Sequence, residues 1–350
     1  MASVAVVGAG IIGLSSAVCI LERDPTVKVT VITDKLTPNT TSDGAAGLIM
    51  PIFIGNSPNH LQRKWFKTTL DELERLSQRD DSGQDLAIYK TTVFYVADEK
   101  VEEPFWRDLV DGYRLLSQKE LAHFPKPTKF GYSFTALFFN GKYYLPWLIE
   151  RLKRLGGIIT MKTIESLEEL AGTYDVVVNC TGMRARELVN DCSLYPVRGQ
   201  ILRVYAPWIK HAYDRDTKEH VSCGKHCYIL PQANGEVVLG GTAYHNNFDT
   251  RVDADDTRHI LEATSQLVPS LKRAKVIDAW VGLRPFRSSV RLEKEEKRFE
   301  DKIGQERCLK IVHNYGHGGS GLTMHWGCAM DTTDLVFEFL AAPKQLHAKL

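Results

Sequence analysis

No apolar run in this chain approaches the roughly 20 residues that a membrane-spanning helix needs, which excludes a helical bilayer span. An excess of either charge is also missing. The 44 Lys and Arg nearly cancel the 43 Asp and Glu, and a formal net charge of +1 gives no global field to hold nucleic acid or an anionic membrane. Cysteine offers no disulfide framework: the seven (Cys19, Cys180, Cys192, Cys223, Cys227, Cys308, Cys328) are odd in number, scattered and mostly in apolar contexts. That pattern predicts a reduced, intracellular protein whose thiols are small core residues. His220, Cys223, His226 and Cys227 fall close together, but their spacing fits none of the usual zinc sites. No metal is expected there, and the segment reads as a loop leading into a strand at Tyr228. Internal repeats and low-complexity stretches are missing, and Met1 runs straight into a strand without the basic region of a signal peptide.

What is present is the composition of an ordinary globular protein, 43% hydrophobic, 25% charged and 9% aromatic over 350 residues. That length suits one large domain or two intertwined ones. The opening reads as strand (4–7), tight turn, helix (11–21) and alternating β-branched strand (27–33), a right-handed crossover between parallel strands. The pattern returns in mid-chain as a helix over 145–155, a strand at 158–161, a short helix at 165–170 and a buried strand at 174–179. Elsewhere the character changes. Residues 52–140 mix a helix (65–76) with β-rich pieces such as 91–96, and residues 197–280 alternate in short strands (199–205, 228–231, 236–239). The fold class expected is α/β, a Rossmann-like nucleotide-binding domain with an inserted, mostly antiparallel β domain. The nucleotide-binding part would comprise 1–51, 141–196 and 282–340, the inserted part 52–140 and 197–281, and 341–350 a tail.

Four motifs carry chemistry. In Gly8-Ala9-Gly10-Ile11-Ile12-Gly13 the first glycine permits a sharp exit from the strand, and Gly10 lets a pyrophosphate approach the backbone. Gly13 lets the helix pack closely, which leaves the phosphate at the helix N-terminus. The second strand ends at Asp34, placed to grip a ribose hydroxyl. This motif does not choose between FAD and NAD. The run 39–47, with Thr40, Thr41 and Ser42, suits a loop beside a cofactor, with an ordinary polar loop as the competing account. The glycine run Asn314-Tyr315-Gly316-His317-Gly318-Gly319-Ser320-Gly321-Leu322-Thr323 precedes a helical stretch (328–340) and builds a second approach rich in backbone N–H groups. In Gly282-Leu283-Arg284-Pro285-Phe286, Arg284 offers a planar fork for a carboxylate or, equally, a buried structural ion pair. The chain ends in Ala348-Lys349-Leu350, one substitution from a peroxisomal import tripeptide, which predicts a peroxisomal matrix protein read by the import receptor.

These motifs, with Val-Val-Asn-Cys-Thr-Gly (177–182) and Pro-Val-Arg-Gly-Gln (196–200), resemble the FAD-dependent D-amino-acid oxidase family, including its D-aspartate oxidase branch, over essentially the whole chain. The resemblance chooses FAD. It implies that Asp34 and Lys35 lie at the adenosine end, Thr40, Thr41 and Ser42 near the phosphates, and Ile164 and Thr181 on the adenine side. Ala46, Gly47, Leu48 and Met50 would pass the flavin, and Gly318, Ser320, Gly321, Leu322 and Thr323 would wrap it. Arg284 would bind the substrate α-carboxylate, Tyr228 would be an active-site tyrosine, and Gly319 would offer its carbonyl to the α-amino group. The implied reaction is oxidation of a D-amino acid to a 2-oxo acid, ammonia and hydrogen peroxide. Met50 and the stretch 223–225 lean toward the D-aspartate branch, and Arg215 could hold a side-chain carboxylate; Ala243 stands where another arginine is expected, with Lys225, His226 or Tyr244 as its substitute. Acidic D-amino acids are therefore the favoured substrates, neutral or basic ones the alternative. A nicotinamide-dependent dehydrogenase or a non-catalytic nucleotide-binding module remains as a further alternative. The partners expected are the D-amino acid, oxygen, the import receptor and, for assembly, a second copy as a homodimer.

Overall fold

The computed structural model describes residues 1–52, 54–78, 86–301 and 303–342. Among them, fourteen strands join in one sheet. In chain order these are β1 (Ser3–Val7), β2 (Lys28–Thr33), β3 (Tyr89–Ala97), β4 (Asp111–Leu115), β5 (Phe130–Phe138), β6 (Ile158–Met161) and β7 (Val176–Asn179). They continue as β8 (Tyr195–Tyr205), β9 (Ala212–Asp216), β10 (Lys225–Pro231), β11 (Glu236–Thr242), β12 (Tyr244–His245), β13 (Lys275–Glu300) and β14 (Glu306–His317). The spatial order is β4-β5-β3-β9-β10-β11-β8-β13-β14-β7-β1-β2-β6, with β12 on β8.

One end, β14-β7-β1-β2-β6, is parallel throughout. The other end is antiparallel except for the β3–β9 pair. The two are joined by β13, whose first part pairs with β8 and whose second part pairs with β14. Residues 281 and 282 lie inside this continuous 26-residue strand. Eight of the ten residues 291–300 are charged, so no apolar periodicity marks this part of the strand.

The parallel strands read as unbroken valine runs because both faces are covered: Val4, Val6, Val176 and Val178 are fully buried. Helix α1 (Ile11–Arg23) follows β1 and packs on α5 (Gly321–Ala341). Helices α2 (Asn59–Ser77), α3 (Gly141–Arg154) and α4 (Ala254–Leu267) complete the main set. Burying each large apolar side chain of this layer, such as Leu14 or Phe66, contributes about 1.5–3 kcal/mol. Gly327 on α5 lies so close to the backbone of Trp65 on α2 that any side chain would force the helices apart. The short helix expected over 165–170 is instead a 3₁₀ turn, Leu167–Leu170, closed by a capping box between Ser166 and Glu169. The loop expected before Tyr228 contains a short helix, Lys218–Ser222, and β10 begins at Lys225.

Candidate active site

The first turn is built by contacts that only glycine allows. Gly8 has φ 105°, and a Cβ added there would overlap the Cys180 carbonyl. A Cβ on Gly13 would overlap the carbonyl of Gly8, so α1 rests directly on the turn. Gly10, at the N-cap, supplies no side-chain cap. Its place is taken from another segment: the Ser42 hydroxyl accepts from the Ile11 amide at 3.1 Å. The remaining first-turn amides and the helix dipole are left to face an anion. The loop that delivers Ser42 is fixed by Asp43, whose carboxylate accepts from the Thr40 amide (2.9 Å), the Thr40 hydroxyl (2.6 Å) and the Thr37 hydroxyl (2.5 Å). Asp34 closes β2 and lies 3.7 Å from Arg184.

A cavity of about 640 Å³ starts at this turn and ends between β10 and β13. It gathers nearly every expected cofactor residue: Gly8, Ala9, Gly10, Ile11 and Ile12 from the turn, Asp34 and Lys35 from the end of β2, and Thr40, Thr41 and Ser42 from the capping loop. Ala46, Gly47, Leu48 and Met50 form one wall, Ile164 and Thr181 another, and Gly318, Gly319, Gly321 and Leu322 close it from the glycine run. Tyr228 and Arg284 stand at the far end. The Arg284 guanidinium donates to the Thr242 carbonyl at 3.0 Å, which leaves most of its fork toward the cavity. Burial raises the Tyr228 hydroxyl pKa, Asp214 adds to this, and the neighbouring Arg284 opposes it. The hydroxyl therefore stays protonated and able to donate.

Four expected residues stand outside the cavity wall. Gly13 serves the helix packing just described. Thr323 and Ser320 belong to the frame: Thr323 accepts from the Met50 amide (3.1 Å) and donates to its carbonyl (2.9 Å). Ser320 does the same for Ile52, at 2.8 and 2.5 Å. These pairs fasten the segment 50–52 to the start of α5. Arg215 is buried on the opposite face of β9, across from Cys227 and close to His220, so the side-chain carboxylate role expected of it has no support from its position. Ala348, Lys349 and Leu350 lie outside the described residues.

The cavity also holds residues to which the motifs assign no part at the site, Trp280, Asp214 and Asp216, together with Asn314 and His317 of the glycine run and His226. Burial lowers the His317 pKa to about 3, and His325 pushes it the same way, so this imidazole is neutral. Its Nε2 and the Oδ1 of Asn314 are buried without a hydrogen-bond partner among the described residues. Buried polar atoms rarely stay unpaired, and here a bound group with polar edges would complete them. An open helix N-terminus at one end and two orphaned polar atoms midway thus fit a dinucleotide carrying a polar ring system. Both Asn314 and His317 lie inside the glycine run, where the glycines are the conspicuous local signal.

Comparison with known proteins agrees with this geometry. Residues 3–335 match the family model described as FAD dependent oxidoreductase. The chain is 40% identical over 343 residues to a D-amino acid oxidase of Dugesia ryukyuensis, covering 97% of this chain and 99% of that one. It is 40% identical over 343 residues to a D-aspartate oxidase of Homo sapiens, covering 97% and 96%. The chain belongs to the FAD-dependent oxidoreductase family. Among solved structures, glycine oxidase from Geobacillus kaustophilus superposes with a TM-score of 0.73 over 97% of this chain and 95% of that one, at 19% identity. That likeness places the α/β fold, with its large and mostly antiparallel sheet, among these oxidoreductases. The cavity runs from the turn at Gly8–Gly10 to the stretch between Met50 and Gly319.

Proposed function

We propose that this protein oxidises D-amino acids to 2-oxo acids and ammonia, consuming water and oxygen and releasing hydrogen peroxide. The observation that carries this reading is the arginine fork of Arg284 beside the Tyr228 hydroxyl, facing the glycine run across the same cavity. Full-length relatives named D-amino acid oxidase and D-aspartate oxidase support it. FAD, when bound, supplies the two-electron acceptor for the substrate Cα–H bond and hands those electrons to oxygen.

The protein's own part is binding and orientation. Arg284 takes the α-carboxylate as a two-pronged partner, and the protonated Tyr228 hydroxyl donates a further bond to it. The carbonyl of Gly319 accepts from the α-amino group. With two substituents held and the side chain confined by the cavity wall, the Cα hydrogen of only one enantiomer points across the cavity, which makes the site stereoselective. Met50 and Leu230 keep the reacting end poor in water.

Acidic side chains, the preference expected from sequence, keep the support of the relatives named D-aspartate oxidase. Arg215, however, is turned away from the substrate end. The test of the reaction class is peroxide formation by purified, FAD-loaded protein with a panel of D-amino acids and their L-enantiomers. Peroxide from none of the D-forms would end the proposal. Arg284→Ala is expected to lower kcat/KM by about 100- to 1,000-fold, chiefly through KM, while flavin content is kept. Loss of the flavin instead would remove the carboxylate role from Arg284.

A further inference from the structure

The substrate end of the cavity is not electrostatically symmetric. Strand β9 alternates, so Asp214 and Asp216 share one face and Arg215 takes the other. Asp214 lies directly opposite Tyr228 in the β9–β10 register, which puts the two side chains on the same face, and both line the cavity. Asp216 and His226 line it beside them. The Asp216 carboxylate already has company: the Tyr95 hydroxyl donates to it at 2.9 Å, and His226 Nδ1 stands 3.9 Å away. The Asp214 carboxylate makes no hydrogen bond or ion pair among the described residues.

On the oxidase reading given above, we infer that Asp214, backed by Asp216, selects D-amino acids with a cationic side chain, the class of D-lysine, D-ornithine and D-arginine. Arg284 marks one end of the substrate by taking its carboxylate, and the unpaired carboxylate of Asp214 marks the other. A ligand that fits both is an anion at its head and a cation at its tail. A substrate with a second carboxylate would meet two carboxyl groups at 214 and 216, neither of which offers it a cation, and a carboxylate left unpaired in a partly desolvated cleft is costly. Burial and the charge of Asp216 hold the Asp214 carboxyl well above the usual carboxylate range. An ammonium or guanidinium group brought alongside reverses that pressure and keeps the pair ionised. Arginine cannot play the opposing part here, because Arg215 is on the wrong face of its strand.

The experiment is peroxide formation by the FAD-loaded protein with D-arginine, D-lysine, D-alanine and D-aspartate. The expected order of kcat/KM is cationic, then neutral, then acidic, with about 30-fold or more between the ends of the series. Asp214→Asn should cut the ratio of D-arginine to D-alanine activity by about 10-fold or more. D-Aspartate at the head of the series would overturn the inference. So would Asp214→Asn lowering both substrates by one factor, since its partner would then be the α-ammonium group common to both. Should no D-amino acid give peroxide, the oxidase reading fails, yet the charge preference is still decided by titrating the flavin absorption of the holoprotein. Tighter binding of D-arginine than of D-aspartate upholds the inference, and equal or weaker binding overturns it.

Discussion

At Gly13 an added methyl group would run into the backbone carbonyl of Gly8, whereas at Gly199 it would run into the guanidinium of Arg284. The first glycine belongs to the parallel, cofactor-facing end of the sheet and the second to the antiparallel, substrate-facing end. In the cofactor half, glycine brings main chain against main chain, and the shape offered to a ligand is a shape of N–H groups and helix terminus. In the substrate half it clears space for a side chain. Gly240 does for the Tyr228 ring what Gly199 does for Arg284. Backbone cannot step aside and a side chain can, so damage to the two halves should look different: lost fold and flavin on one side, retained flavin with a misplaced clamp on the other.

The largest contrast expected is in acid. His313, His317 and His325, on β14 and α5 of the cofactor half, are held at pKa values of about 4, 3 and 4 by burial. Each lies below the ordinary value of 6.5, so the unfolded chain binds the proton first and stability falls as pH drops through 6.5 toward those values. Three such sites together would remove on the order of 5 kcal/mol between pH 7 and 5. His220 and His259 of the substrate half are shifted the same way by burial, but are only half-buried. Flavin release and thermal unfolding followed from pH 7 down to 5 should therefore begin together. His317→Asn should remove roughly a third of the pH dependence. A pH profile unaltered by that substitution would break the assignment of acid lability to this half.

Gly13→Ala comes next. Nothing around the Gly8 carbonyl can rotate away, so α1 must shift off β1, at about 3 kcal/mol or more. The expected outcome is a lower Tm and protein purified with little FAD. A variant with normal flavin content and normal Tm would show that the close approach of α1 is not needed.

The same contrast explains what the sequence disclosed. The cofactor half was legible because its devices are local: Gly8, Gly10 and Gly13 lie within one turn, and Asp34 closes the next strand of the same crossover. The glycine run at 316–321 and Arg284 were visible for the same reason, each being unusual within its own few neighbours. The substrate wall was not legible. Whether residue 214 or residue 215 faces the cavity depends on the register of β9 against β10, and a shift of one residue would exchange them. Arg215 was the natural choice on charge alone, and strand alternation chose Asp214. Ser320 and Thr323 stand in the glycine run, but their side chains work on the backbone at 50–52, a contact across about 270 positions that no local pattern encodes.

Gly199→Ala makes the smallest change and tests the comparison most directly. Gly199 lies on β8 opposite Gly282 of β13, two residues before Arg284, and the atoms nearest its added methyl are those of the guanidinium. That group is the far end of a flexible side chain, so the backbone should be undisturbed and Tm should move by no more than about 1 kcal/mol equivalent. The guanidinium must leave the position from which it donates to Thr242, and with it the place where a substrate carboxylate is taken. We expect flavin content unchanged, kcat/KM reduced by about 10-fold, and the loss carried mainly by KM. If Gly199→Ala instead shed its flavin as Gly13→Ala does, the two ends of the sheet would not be separable. If it kept full activity, the fork of Arg284 would have a second position equally good for its task.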